Sequence, residues 1–177
     1  MSASEVLPDQ IKLGEGHTMT FLRNEPFLTR VHVAADAEAF AVPPHWHETH
    51  AEIFRVIKGQ VEYTIGNVTK VYTPSDGEVL VPRKKTHAFT TFKGVETIFE
   101  ERTTPKDDDK ELFFRNAFAD GFPKNPFNVF PAFYHGDAFF ALPGDFRWLE
   151  KFLLFIFGGI IGPLLGYRTK YDSLKKV

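Results

Sequence analysis

The sequence predicts an all-β domain, sandwich or barrel in type, followed by a helical C-terminal extension. Three observations predict it. Apolar and polar residues alternate with period two through much of residues 17–102. Gly and Pro turns interrupt that stretch at short, regular intervals. After residue 105 the alternation stops and helical spacing takes over. With 177 residues the chain has room for one full domain and not comfortably for two. The expected layout is an N-terminal segment over 1–16, the β-domain over 17–105 and a Phe-rich helical extension over 106–177.

The strands follow in order. "HTMTFLR" and "FLTRVHVAA" are aromatic or β-branched and are separated by "NEP". In "QVEYTIGNVTKVYT", Val61, Tyr63 and Ile65 alternate with Gln60, Glu62 and Thr64, and Gly66-Asn67 supplies a two-residue hairpin turn. "TPSD" turns the chain into "GEVLVP", which Pro82 closes. "THAFTTF" and "ETIFEER" complete the series. Beyond "TTPKDDDK", Asp107 to Asp109 form an expected cap for a helix through "KELFFRNAF", with Phe113, Phe114, Ala117 and Phe118 at helical spacing and Gly121 as its stop. An irregular Phe- and Pro-rich stretch then leads to a final helix from near Asp145. No internal repeat is visible.

Composition excludes several function classes. Hydrophobic residues make up 43% and charged residues 25%, which predicts a packed core. A formal net charge of −2 gives no reason to expect a nucleic-acid partner. The chain has no Cys, so disulfides and thiolate chemistry are ruled out. "MSASEVLPDQIKLGEG" lacks a basic and then apolar leader, so no signal peptide is expected, and a cytoplasmic protein fits. The apolar run "FLLFIFGGIIGPLLGY", 152–167, contains Pro163 and is shorter than the ~20 residues of a spanning helix. It reads first as a buried helix or subunit contact. Lys151, Arg168 and Lys170 flank it and keep a membrane-surface anchor as the less favoured alternative.

The chemistry concentrates in "HWHETHAEIFRVIKG", 45–59. Along a strand, residues two apart share a face, so His45 and His47 point one way and Trp46 the other. Glu52 opens the next apolar strand on the face of Phe54 and Val56, where a carboxylate is costly unless it is paired or coordinating. His87 is the fourth candidate, on the face of Phe89. Four N/O donors without thiolate suit one divalent ion of Fe, Mn, Ni, Zn or Cu. The pattern alone leaves a polar His-rich turn as an equal alternative. His50 and Glu48 fall where the chain bends and read as turn residues. His17, His32 and His135 have no partner in view and read as surface or core residues.

These residues resemble the cupin family. "HWHETHAEIFRVIKG" matches its first motif, H-x-H-x(3,4)-E-x(6)-G, at His45, His47, Glu52 and Gly59. "GEVLVPRKKTH" matches the second in outline: Pro82 and His87 keep their spacing, while Gly77 is one residue closer to the proline than in the pattern. The family's glycine between that proline and histidine is Lys84 here, its glycine ahead of the first motif is Ala39, and the asparagine that often follows the last histidine is Thr91. The resemblance covers 17–102 and implies an antiparallel jelly-roll barrel holding a metal through His45, His47, Glu52 and His87. It also implies a homodimer by default. The Phe-rich tail ending in "GYR" is similar to that of small fungal cupins, some of them encoded among genes for secondary metabolism.

The expected function is a metal-dependent enzyme on a small organic molecule, a dioxygenase or a non-redox isomerase, decarboxylase or cyclase. The alternative is a non-catalytic binding module with a structural metal. His50, Tyr63, Tyr134 and His135 are weak candidates for an acid or base. The Phe-rich stretch is expected to cover the barrel mouth and form an apolar pocket, with Tyr134, His135 or Asp137 reaching in.

Overall fold

A computed structural model describes residues 7–107, 109–118, 121 and 126–171. Asp108 of the expected helix cap and residues 122–125 of the irregular stretch lie outside the described residues.

Two antiparallel sheets face one another. The first contains β1 (Gln10–Gly14), β2 (His17–Phe21), β3 (Thr29–Val33), β5 (Ala51–Lys58), β8 (Glu78–Val81) and β10 (Thr97–Thr104), in the order β1-β2-β3-β10-β5-β8. The second contains β4 (Ala41–Trp46), β6 (Val61–Ile65), β7 (Val68–Tyr72), β9 (His87–Thr91) and β11 (Phe139–Phe140), in the order β11-β4-β9-β6-β7. Hydrogen bonds do not close the sheets into one ring, so the expected barrel is a jelly-roll sandwich.

Period-two alternation builds its core. Phe54 and Val56 of β5, Val61 and Tyr63 of β6 and Phe99 of β10 all point inward and are buried. The Tyr63 ring stacks between Phe54 and Phe89, with centroids 3.7 and 4.8 Å away. Each such side chain contributes about 1.5–3 kcal/mol by leaving water. The opposite face of β10 carries Glu100, which is fully buried and is held by both Arg30 and Arg55. That carboxylate is structural and lies on the far side of the sheet from the cavity.

Turn chemistry follows the motifs. Gly59 ends β5 at φ 74°, and a Cβ there would sit 2.3 Å from the Glu96 carbonyl oxygen. Lys84 adopts φ 64° where the resembling family has glycine, so the turn before β9 keeps its left-handed shape without the usual residue.

β1 precedes the start expected at residue 17. Five residues flanked by polar ones give a weak signal, yet Leu13 is buried and Ile11 pairs with Met19. The extension comprises α1 (Lys110–Ala117), α2 (Pro126–His135), α3 (Arg147–Leu154), a π-helical stretch over Phe155–Ile161 and the short α4 (Gly162–Leu164). Helix α2 falls in the stretch expected to be irregular, and it contains Pro131. Burial of Val129 and Ala132 overrides the poor propensity. Strand β11 then joins the edge of the second sheet beside β4.

The apolar run 152–167 is buried on one side only. Leu154 is 3% exposed, whereas Phe152, Phe155 and Leu164 are 54%, 46% and 81% exposed. Gly158 permits the close approach on the buried side, since a Cβ there would meet the Phe130 carbonyl oxygen at 2.4 Å. Among the described residues, no helix is long and apolar enough to cross a membrane.

Candidate metal centre

Strand alternation carries His45 and His47 to the interior and Trp46 to the outside. Trp46 is covered there by the extension: its ring stacks on Phe139 at 4.4 Å, and its indole N–H donates to buried Glu150 at 2.7 Å. His45 pairs in register with His87 of β9, and Glu52 arrives on β5 from the facing sheet. One ligand atom from each of His45, His47, Glu52 and His87 lies within 4.8 Å of all the others. The two sheets therefore bring together the four residues singled out from the motifs.

Each histidine of the four is oriented by a backbone carbonyl. His45 Nδ1 is 2.9 Å from the Pro43 oxygen, His47 Nδ1 2.5 Å from the Asp137 oxygen, and His87 Nδ1 2.9 Å from the Lys85 oxygen. A carbonyl can only accept, so Nδ1 carries the proton and Nε2 offers its lone pair. His47 Nε2 is buried without a hydrogen bond, although Glu52 Oε1 is 3.0 Å away and out of line. His87 Nε2 is 2.9 Å from Glu52 Oε2. The His87–Glu52 contact holds a shared proton in the metal-free site; with that proton displaced, three Nε2 lone pairs and one carboxylate fit a divalent first-row ion.

The electrostatics agree. Burial, reinforced by the neighbouring His87 and His47, pushes His45 well below the ordinary histidine range, so it is neutral near pH 7. Burial also lowers His47, against the opposing pull of Glu52. For Glu52 burial acts upward, but His47 and His87 outweigh it and hold the carboxylate well below its usual range. Neutral imidazoles and an ionised carboxylate are the forms that coordinate.

A second shell comes from the extension. Asp137, between α2 and β11, receives the backbone N–H groups of Glu48 and Thr49 at 3.1 and 2.9 Å and the Thr49 hydroxyl at 2.5 Å. Its Oδ2 is 2.9 Å from His50 Nδ1. Burial acts to raise the Asp137 carboxyl, but the donors from His50 and Thr49 prevail and lower it. Asp137 thus ties down the bend between His47 and Glu52 while its own carbonyl orients His47. His47, His50 and Asp137 form a second, smaller group with ligand atoms mutually within 4.8 Å. His50 Nε2 is buried without a hydrogen bond, 4.0 Å from Glu52 Oε1. Glu48 sits at the rim in an ion pair with Lys151.

The other candidates lie elsewhere. Tyr63 belongs to the aromatic stack, and burial raises its phenol well above the ordinary range. Tyr134 and His135 do not reach in: both are exposed, packed on one another at 5.0 Å, with Tyr134 against Gly159 of the π-helical stretch. His17 contacts the Glu38 carbonyl oxygen and His32 contacts Glu96, both away from the cluster.

Two residues went unnoticed in the sequence. Glu101 faces the cavity beside Glu52; burial, and then the Glu52 charge, raise its carboxyl well above the usual range. Extending the inward alternation Thr97, Phe99, Glu101 would have found it. Lys110 of α1 is buried, donates to the Gly136 carbonyl oxygen at 3.1 Å and has its pKa lowered by burial against the pull of Glu52, Glu101 and Asp137. A lysine at a helix start carries no such signal.

A cavity of about 260 Å³ opens from His45, His47 and Glu52. Phe40, Val42, Phe89 and Phe99 form its barrel side, and Phe113, Phe118, Phe133 and Phe140 close it from the extension. The Phe-rich stretch covers the barrel mouth.

A model of the cupin domain matches residues 31–97, the segment that holds all four clustered residues. The barrel is a cupin domain. The chain is 30% identical over 153 residues to a probable oxidoreductase, yanE, of Aspergillus niger, and 29% identical over 147 residues to an oxidoreductase of Arthrobotrys oligospora. Each match covers 74% of this chain and 58% of the relative, so the cupin spans less than two-thirds of the length of these curated relatives. Among solved structures it is similar to KdgF from Halomonas sp. (TM-score 0.44, 21% identity, 58% of this chain and 90% of that one). It is also similar to the polyketide cyclase RemF from Streptomyces resistomycificus (TM-score 0.40, 22% identity, 51% of this chain and 66% of that one).

Proposed function

We propose that this cupin is a metal-dependent enzyme acting on a small organic molecule, with one divalent transition-metal ion held by His45, His47, Glu52 and His87. One observation carries the reading: His45, half-buried, and His47 and His87, buried, each give Nδ1–H to a backbone carbonyl and leave Nε2 directed to a site shared with a carboxylate. An ion there supplies Lewis-acid activation of a bound oxygen group, or dioxygen chemistry if it is iron.

The chain's own residues do the rest. Asp137 fixes the bend and the His47 tautomer, so the nitrogen lone pairs are preorganised. Glu101 faces the cavity beside Glu52, and burial raises its carboxyl, which favours the protonated form that can hydrogen-bond a substrate oxygen. The phenylalanine walls exclude water from the site. The names of the two curated relatives support oxidation over non-redox chemistry. Helices α1 and α2 and strand β11 belong to the same working unit, since they supply one wall of the cavity. The exposed apolar side of 152–165 supports self-association.

Elemental analysis of the purified protein beside His47→Ala and Glu52→Ala tests the reading. About one transition-metal ion per chain, absent from both variants, is expected. Equal metal content in all three would overturn it. Iron with substrate-dependent oxygen uptake supports oxidation; a redox-inert ion without uptake overturns that part.

A further inference from the structure

Resting on the metal-centre reading, we infer the class of substrate: a compact molecule with one metal-binding oxygen head and an uncharged aryl or alkyl body. Beyond His45, His47, Glu52 and Glu101 at the metal end, every lining residue among the described residues is Phe, Val, Met, Ala or Pro. Among the described residues no Lys or Arg lines the cavity, the Lys110 ammonium being taken up by the Gly136 carbonyl oxygen and the Phe113 ring, so a phosphate or second carboxylate entering the cavity would lose its hydration without an opposite charge in contact to replace it. Nor, among the described residues, does any Ser, Thr, Asn, Gln or Tyr, so a polyol would leave its hydroxyls unpaired. Sugars, sugar phosphates and polycarboxylates are thereby disfavoured. The aryl or alkyl body gains instead, since burying it against phenylalanine costs no hydrogen bond.

The polar groups sit at one end and the apolar wall makes up the remainder, which sets the orientation. The head reaches the metal end, beside Glu101, and the body lies between Phe40 and Phe89 of the barrel and Phe113 and Phe133 of the extension. The cavity volume, about 260 Å³, lies just below the ~300–1,000 Å³ common for ligand pockets. It suits one small molecule rather than a polymer. The extension is accordingly the specificity element, because it supplies half of the apolar wall.

The test uses the full chain loaded with Co²⁺ and three hydroxamates that share a head and differ in body: acetohydroxamate, benzohydroxamate and serine hydroxamate. Cobalt absorption reports head coordination, and titration gives each affinity. Benzohydroxamate is expected to bind at least tenfold more tightly than acetohydroxamate, and serine hydroxamate no more tightly. Ala117→Phe, which fills the cavity, is expected to bring the benzohydroxamate-to-acetohydroxamate ratio near one. The wild-type series is decisive even if that variant fails to fold. Cobalt uptake with equal affinities, or with serine hydroxamate tightest, overturns the substrate class and leaves the metal centre standing. Failure to take up cobalt overturns both.

Discussion

The closed half of the barrel core and the extension use phenylalanine in different ways. In the barrel core, Phe54 is 1% exposed and locked in stacked and edge-on contact with Tyr63 and Tyr72. In the extension, Phe113, Phe118, Phe133 and Phe140 face a cavity, while Phe152 and Phe155 face solvent. Rings packed on every side serve stability; rings left with one side open serve recognition. The candidate site stands at the boundary, with its four motif residues from the barrel, and Asp137 and half of its apolar wall from the extension.

The largest test of that contrast is truncation. Phe54→Ala is expected to cost about 3–5 kcal/mol, as for a fully packed aromatic, in denaturant unfolding. Phe133→Ala already borders empty space and is expected to cost less than half as much while altering ligand affinity. Equal losses would break the comparison.

Asp137→Ala probes the bridge between the two regions. It removes the acceptors for Glu48, Thr49 and His50 and is expected to weaken metal binding by about 10–100-fold with little change in secondary structure. Competition against a chelator measures it. Unchanged affinity would mean that the barrel alone organises the ligands.

The pH dependence of the metal-free protein has two opposing parts. Burial lowers His45 and His47, so below about pH 6.5 the unfolded chain binds protons that the folded chain refuses, and stability falls with pH. Glu52, also lowered, keeps its contribution above about pH 4.3 and loses it only as pH falls through its depressed value. Glu101 is raised, so its contribution is full below its unfolded value and fades as pH rises. Glu101→Gln is therefore expected to steepen the loss of stability between about pH 7 and 5. A flatter profile in that variant would contradict the assignment.

The smallest effect concerns the exposed side of the tail. Leu164→Asp is expected to change stability by no more than about 0.5 kcal/mol and to shift light scattering toward the 20.2 kDa chain. A chain already of that size as wild type would remove the case for self-association.

Legibility in the sequence followed the same boundary. Period-two alternation exposed strands β2, β3 and β5–β10, and motif spacing exposed His45, His47, Glu52 and His87, because both signals are local. Helix α2 was hidden by Pro131, and its burial depends on a partner far along the chain. The sequence marks Asp137 only as a residue that reaches in; its role depends on loop contacts roughly ninety positions apart, which no local pattern encodes. Lys84 illustrates a third kind of difficulty. It departs from the motif's glycine and still takes positive φ, so the motif describes a backbone shape more faithfully than a residue.

The central claim is that the four motif residues, and not the His47–His50–Asp137 group, hold the metal. Anomalous diffraction at the absorption edge of the bound ion in crystals of the wild-type protein tests it most directly. The account predicts one peak about 2.0–2.2 Å from Nε2 of His45, His47 and His87 and from a Glu52 carboxylate oxygen. A peak bonded to His50 or Asp137 instead, or none in metal-loaded crystals, would contradict it.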